Sequence, residues 1–387
     1  MSALSIERPE FLRQEDVVIL ERSIGRFLDE RVPEPRGARW REDGVVERAM
    51  WREAAEAGLL CLGMPREYGG GGGDFRHETI LNEQLARRGL GGFAVPLHST
   101  IVAPYIQHYG SEEQRARWLP KMASGEFIGA IAMTEPGTGS DLQAVRTVAR
   151  KAGNRYVLSG QKTFISNGQC ADIVIVVAKT DPALGAKGVS LIVVETAEAD
   201  GFRRGRNLDK LGFEMQDTSE LFFDDVSVPT ANLLGTAEGQ GFAQLMSQLP
   251  QERLTIAVGG VATMERALEL TIRYVKERKA FGQRLIDFQN TQFKLAECKT
   301  EAEIARVFVD RLIGLHLEGK LDAAAASMAK YWVTDLENRI VDTCLQMFGG
   351  YGYMSEYPIA RMYRDSRVQR IYGGANEIMK VLIARTL

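Results

Sequence analysis

The stretch LPQERLTIAVGG, Leu249–Gly260, opens the apolar pattern from which the rest of the chain is read. From Pro250 toward Phe281, apolar residues fall at Leu254, Ala257, Val258, Val261, Met264, Leu268, Ile272 and Val275. Steps of three and four predict a long helix. Glu252 shares a face with Thr255, Ile256 and Gly259, which are small or apolar. A carboxylate in such surroundings holds its proton more tightly, so its pKa moves toward the range of a general base. A glutamate in a first helical turn is also well served by water and the helix dipole. The local sequence leaves both readings open.

Upstream, residues 14–125 show helical spacing broken by glycine and proline, with one stripe at Val17, Leu20, Ile24, Phe27 and Leu28 and another at Ile80, Leu81 and Leu85. The run Gly69–Gly73, closed by Asp74, lacks the Gly-Lys-Ser/Thr ending of a phosphate loop and reads as a flexible connection. His98–Pro104 and Gly110–Glu113 read as helix boundaries, with Ser111 as an N-cap. At Phe127 the period changes. Ile128–Met133, Arg155–Ile165, Ile173–Ala178, Val189–Glu195 and Glu220–Val228 are short, β-branched and bounded by turn formers, which predicts a β barrel or sandwich. Between the first two lies Thr134–Asp141, TEPGTGSD, whose glycines uncover backbone N–H groups and whose hydroxyls add donors. Turn chemistry alone also accounts for such a loop. From Gly239 the helical period returns and runs to the end, through Phe288–Leu317, Ala323–Phe348 and Asn376–Arg385.

With 387 residues, 45% of them apolar, the chain has room for two or three domains. A net charge of −3 with interspersed signs offers no field for nucleic acid or anionic lipid. Cys61, Cys170, Cys298 and Cys344 show no CxxC spacing, and His77, His98, His108 and His316 no HxxxH pair, so a reduced compartment and no metal site are expected. No apolar run is long enough to span a bilayer and no secretory h-region stands at the start, so the expected location is cytoplasmic, or the mitochondrial matrix for a processed chain.

Five motifs together resemble the acyl-CoA dehydrogenase family, and the resemblance runs essentially end to end. They are AMTEPGTGSDLQA at Ala132–Ala144, KTFISNG at Lys162–Gly168, ERKAFGQ at Glu277–Gln283, QMFGGYGYMSEYPIARMYRD at Gln346–Asp365 and RIYGGANEIMKVLIAR at Arg370–Arg385. PQERL and MAKYW agree with the long-chain and isovaleryl branch. The resemblance implies an α+β fold: an N-terminal helical domain over 1–127, a central β barrel over 128–238 and a C-terminal four-helix bundle over 239–387, assembled as a homotetramer. It implies FAD as cofactor. Met133, Thr134, Gly139 and Ser140 would meet one side of the flavin, and Phe164, Ile165 and Ser166 the other. Arg278, Phe281, Gln289, Gln346, Gly349 and Gly350 resemble the residues that a neighbouring subunit offers to the pyrophosphate and adenosine, Arg278 by forking onto two oxygens. Ala375 and Glu377 complete the flavin contacts, while Glu135 and Asp141 hold the loop's shape.

The sequence departs from one common family pattern. Many members carry the catalytic glutamate directly after the tyrosine of an IYEG motif, where this chain has Gly373. In the long-chain and isovaleryl branch the base sits on the helix of PQERL, at the position of Glu252. The implied reaction takes two hydrogens from Cα and Cβ of a fatty acyl-CoA, with a long or branched chain, and gives the trans-2-enoyl-CoA. Glu252 would take the α proton while hydride leaves the β carbon for the flavin, whose electrons pass to an electron-transfer flavoprotein. Arg253 would steady the loop around Tyr372 on the substrate side, Tyr372, Gly373 and Gly374 would border the thioester, with the backbone N–H of 373 polarising its carbonyl, and Ser140 would reach the pantetheine. Two other readings keep the fold: an acyl-CoA oxidase or flavin monooxygenase that passes electrons to oxygen, and a non-catalytic binding protein.

Overall fold

The computed structural model describes residues 3–387. Its N-terminal third is helical: α1 (Glu15–Arg31), α2 (Glu34–Asp43), α3 (Arg48–Glu56), α4 (Phe75–Arg87), α5 (Ala103–Tyr109) and α6 (Glu112–Ala123). Ser111 caps α6 as expected, its Oγ accepting from Gln114 N at 3.3 Å while Gln114 Oε1 accepts from Ser111 N at 2.8 Å. Asp74 and His77 form the same reciprocal cap on α4. Two expectations fail here. Gly69–Gly73 is no flexible connection, because four of its five N–H groups are bonded to carbonyls of 61–65: Gly70 to Pro65, Gly71 to Cys61, Gly72 to Met64 and Gly73 to Leu62. A side chain at Gly70 would bring a Cβ closer than 3.0 Å to the Met64 carbonyl, so glycine is there for close packing. His98–Pro104 is no helix boundary either; Leu97–Val102 is a π-helical turn that runs straight into α5.

The middle of the chain is a curled seven-stranded sheet, a half-barrel. Its strands are β1 (Gly129–Ala132), β2 (Val148–Ala152), β3 (Arg155–Ser166), β4 (Ile173–Lys179), β5 (Val189–Glu195), β6 (Phe202–Asn207) and β7 (Thr218–Pro229). The five expected strands are present. β2 and β6 are additional; VARKA and FRRGRN are too rich in exposed basic residues to show the apolar alternation of a strand. β1 pairs in parallel with the start of β4, Gly129 opposite Ile173, and β2 rejoins the same edge at Val148 opposite Lys179. The stretch 133–147 is therefore a loop thrown out between β1 and β2 along one side of β4.

The remaining helices are α7 (Gly241–Glu277), α8 (Gln289–Leu317), α9 (Ala323–Met347), α10 (Pro358–Ser366) and α11 (Asn376–Ala384), with a small hairpin, β8 (Lys279–Ala280) and β9 (Gln283–Arg284), after α7. Leu254, Val258, Val261 and Leu268 of α7 pack with Val309 and Ile313 of α8 and Val333 and Ile340 of α9 in one buried core. Each such side chain contributes about 1.5–3 kcal/mol on burial. α7 starts further upstream than Pro250, so Glu252 lies in its interior and not in a solvated first turn. No helix among the described residues is long and apolar enough to cross a membrane.

Candidate active site

Glu252 is 5% exposed. Its Oε1 accepts a hydrogen bond from the Tyr105 hydroxyl of α5 at 2.8 Å, and among the described residues its Oε2 has no such partner. Burial pushes its carboxyl up to about 7, against the opposing pull of the Tyr105 hydroxyl and the neighbouring Arg253. Of the two readings left open by the local sequence, the geometry selects the buried one. Tyr105 keeps its proton, since burial and the adjacent carboxylate raise its phenol well above the ordinary value. Sequence reasoning missed Tyr105; it lies far from Glu252 along the chain and nothing in its surroundings marks it.

The segment Tyr372–Glu377 lies against the same part of α7. A Cβ placed on Gly373 would stand closer than 3.0 Å to Ile256 Cδ1, one turn beyond Glu252, and Gly373 adopts φ +64°. Arg253 Nε reaches the Gly373 carbonyl at 3.5 Å and its Nη1 reaches Ser327 Oγ at 3.4 Å, both at the long limit for hydrogen bonds. The firmer tie is Lys330 of α9, fully buried, whose Nζ donates to the Gly374 carbonyl at 2.7 Å and to Asn376 Oδ1 at 2.9 Å. Burial, with Arg253 nearby, brings the Lys330 ammonium down to about 8. Sequence reading saw Lys330 only as part of MAKYW. Tyr372 turns its hydroxyl to Gln369 Oε1 at 3.0 Å, and among the described residues the Gly373 N–H has no acceptor. Ala375 caps α11 and Glu377 sits exposed in its first turn.

A second group forms where the 133–147 loop leaves the sheet. Having left the edge of β4, the loop finds its backbone partners on β3: Thr163 N donates to the Thr134 carbonyl at 3.0 Å and Lys162 Nζ to the Met133 carbonyl at 3.0 Å. Glu135 anchors the turn, accepting from the N–H groups of Arg146 at 2.6 Å and Thr147 at 2.9 Å and from Lys162 at 2.9 Å. Asp141 accepts from Gln143 N at 3.2 Å within the loop. Met133 and Thr134 thus lie beside Phe164, Ile165 and Ser166. The β3–β7 register slips between Lys162 and Ile165, and at that bulge Phe164 takes φ +59° and stands 66% exposed while Ile165 is buried. A left-handed phenylalanine is a costly conformation, and such bulges re-aim side chains. Gly139 and Ser140 are exposed at the loop's tip.

A third group is separate. Arg278 ends α7, with its guanidinium carbon 5.8 Å from the centre of the Tyr351 ring, and among the described residues it forms no salt bridge. Phe281, at the tip of the β8–β9 hairpin with φ +51°, is 96% exposed; its ring centre lies 6.4 Å from that of Phe288, next to Gln289. Gln346, Gly349 and Gly350 are exposed around the end of α9. No contact described within this one chain joins this group to the other two.

The residues fit FAD on these observations: an aromatic presented outward beside an anchored loop with exposed N–H and hydroxyl donors, and an exposed arginine, without a salt bridge among the described residues, whose planar guanidinium suits a diphosphate. Comparison with known proteins agrees. The N-terminal, middle and C-terminal domains of the acyl-CoA dehydrogenase family match residues 14–126, 130–226 and 239–387. The mitochondrial long-chain specific acyl-CoA dehydrogenase of Sus scrofa is 50% identical over 371 residues, covering 95% of this chain and 86% of that protein. A crystal structure of an acyl-CoA dehydrogenase from Geobacillus kaustophilus, 47% identical, superposes with a TM-score of 0.93 over 96% of this chain and 98% of its own. A glutaryl-CoA dehydrogenase from Mycobacterium smegmatis, solved in complex with FADH2 and 28% identical, superposes at 0.91 over 100% of this chain and 97% of its own. With the helical, half-barrel and helical parts matched in order, this chain belongs to the acyl-CoA dehydrogenases, a family of FAD-dependent flavoenzymes.

Proposed function

We propose that the chain oxidises a fatty acyl-CoA with a long or methyl-branched acyl group to the trans-2-enoyl-CoA, with Glu252 as the base. The observation that carries this is a carboxylate buried beside the Tyr372–Glu377 segment with its pKa lifted to about 7, in a chain whose residue 373 is glycine. A base poised near the working pH is half ionised and still strong enough to take the weakly acidic proton next to a thioester. FAD, when bound, supplies the acceptor for the hydride from the β carbon. The N–H of Gly373, without an acceptor among the described residues, polarises the thioester carbonyl in this reading, and a glycine there leaves room for it. Lys330 holds the carbonyl of Gly374 and Arg253 reaches that of Gly373 at long range, which tethers the segment that carries that N–H. Tyr372 and Gly374 border the thioester and Ser140 the pantetheine. Met133, Thr134, Gly139, Ser140, Phe164, Ile165, Ser166, Ala375 and Glu377 serve the flavin in this reading.

Arg278, Phe281, Gln289, Gln346, Gly349 and Gly350 serve the cofactor of a neighbouring subunit, and the chain works as a homotetramer that gives its electrons to an electron-transfer flavoprotein. Exposure of all six on a single chain supports this. A panel of straight and branched acyl-CoA thioesters assayed anaerobically with a dye acceptor tests the substrate class. The expected maximum is at long or branched chains, and a maximum at butyryl-CoA would refute that assignment.

A further inference from the structure

Adjacent residues of α7, Gln251 and Glu252, both reach one helical stretch, the π turn Leu97–Val102 and α5. Pro104 has no N–H, so this stretch lacks one backbone bond where the π turn gives way to α5. Gln251 Nε2 donates to the Thr100 carbonyl, at 2.7 Å, and ties α7 to the turn there. One residue on from Pro104, the Tyr105 hydroxyl donates to Glu252 Oε1 at 2.8 Å, and Tyr105 is completely buried. A buried phenol needs one acceptor, and many carbonyls could serve. Here it is given to the carboxylate that the chemistry needs, at a height set by the Gln251–Thr100 tie beside it. With Oε1 engaged, Oε2 is the oxygen left for substrate.

We propose that Tyr105 is a positioning residue for the base: its hydroxyl fixes the rotation of the Glu252 carboxylate so that Oε2 meets the α hydrogen, and Gln251 holds Tyr105 in place through the Pro104 break. The inference rests on Glu252 being the base. In the step, the Cα–H bond breaks, the proton passes to Oε2 and the electron pair stays with the substrate. The titratable and charged groups around the carboxylate are few. Tyr105 faces it from α5, with Tyr109 behind; Arg253 adjoins it on α7; and Lys330 of α9 bears on Arg253.

The test is Tyr105→Phe in the FAD-loaded enzyme, read by the pH dependence of anaerobic flavin reduction by an acyl-CoA. A hydrogen bond to a charged group is worth about one to two pKa units, so the acid limb should move up by at least about one unit. Near pH 6 the rate should then fall about tenfold, with KM and FAD content little changed. Gln251→Met should shift the limb the same way but less, and serves if the phenylalanine variant does not fold. An unmoved limb in these variants overturns the inference. Glu252→Gln run alongside separates the two ideas: no reduction at any pH supports the base assignment that the inference needs, whereas full reduction overturns both.

Discussion

Moving the base from residue 252 to residue 373 gives a test whose size follows from the structure. In a Glu252→Gly background, Gly373→Glu places a carboxylate on the other flank of the same segment. It must adopt φ +64°, and its Cβ must enter the space of Ile256 Cδ1. The left-handed backbone costs about 1–2 kcal/mol for a side-chain-bearing residue. Displacing the end of Ile256 costs about 1–3 kcal/mol by the usual price of overpacking. Some turnover should return, held down by these two terms. Adding Ile256→Val removes Cδ1 and with it most of the second term. Recovery of about 1.4 kcal/mol corresponds to about a tenfold gain in the competent fraction. Stopped-flow flavin bleaching with acyl-CoA under nitrogen reads the gain directly, and equilibrium unfolding of Gly373→Ala with and without Ile256→Val gives the same coupling without chemistry. Penalties that simply add, with no coupling beyond about 0.5 kcal/mol, would show that Ile256 does not crowd residue 373.

Three further outcomes are expected. Lys330→Met should leave the helical content intact but release the carbonyl of Gly374 and the side chain of Asn376, so kcat should fall by about tenfold or more as the Tyr372–Glu377 segment loses its anchor; steady-state kinetics beside circular dichroism checks this. Glu337 of α9 is fully buried, and burial lifts its carboxyl to about 8. Its folded pKa lies above its unfolded one, so its contribution to stability is fully present below about pH 4.5 and is lost as pH rises through about 8. Glu337→Gln should flatten that decline, seen in denaturant melts between about pH 5 and 8, and an unchanged slope would mean that Glu337 is already ionised. Arg278→Ala should lower flavin content and assembly together, read by absorbance after gel filtration; full flavin retention would argue against a shared site.

Much of the candidate site is legible in the sequence, because its residues sit in contiguous motifs: Met133 to Ser140, Phe164 to Ser166 and Tyr372 to Glu377. The helix of Leu249–Gly260 was legible from its period, since its apolar residues face a core on more than one side. What could not be read depends on partners distant in sequence. Tyr105 and Glu252 are 147 residues apart, and no local pattern distinguishes a tyrosine that will meet a carboxylate from one that fills a core. The order of Gly69–Gly73 comes from carbonyls of a preceding turn, which composition does not reveal. β6 was hidden because its arginines look outward, leaving no alternation to detect. The continuity of the π turn at Leu97–Val102 with α5 is hidden because proline, here Pro104, is common at a helix start and rare inside one.

Removal of the α proton by Glu252 is tested by anaerobic mixing of acyl-CoA with the FAD-loaded Glu252→Gln variant, followed at the flavin band beside the wild type. The wild-type bleaching rate should climb with pH through about 7, while the variant should bind acyl-CoA yet stay yellow at every pH. Bleaching of the variant at the wild-type rate would contradict that role for Glu252.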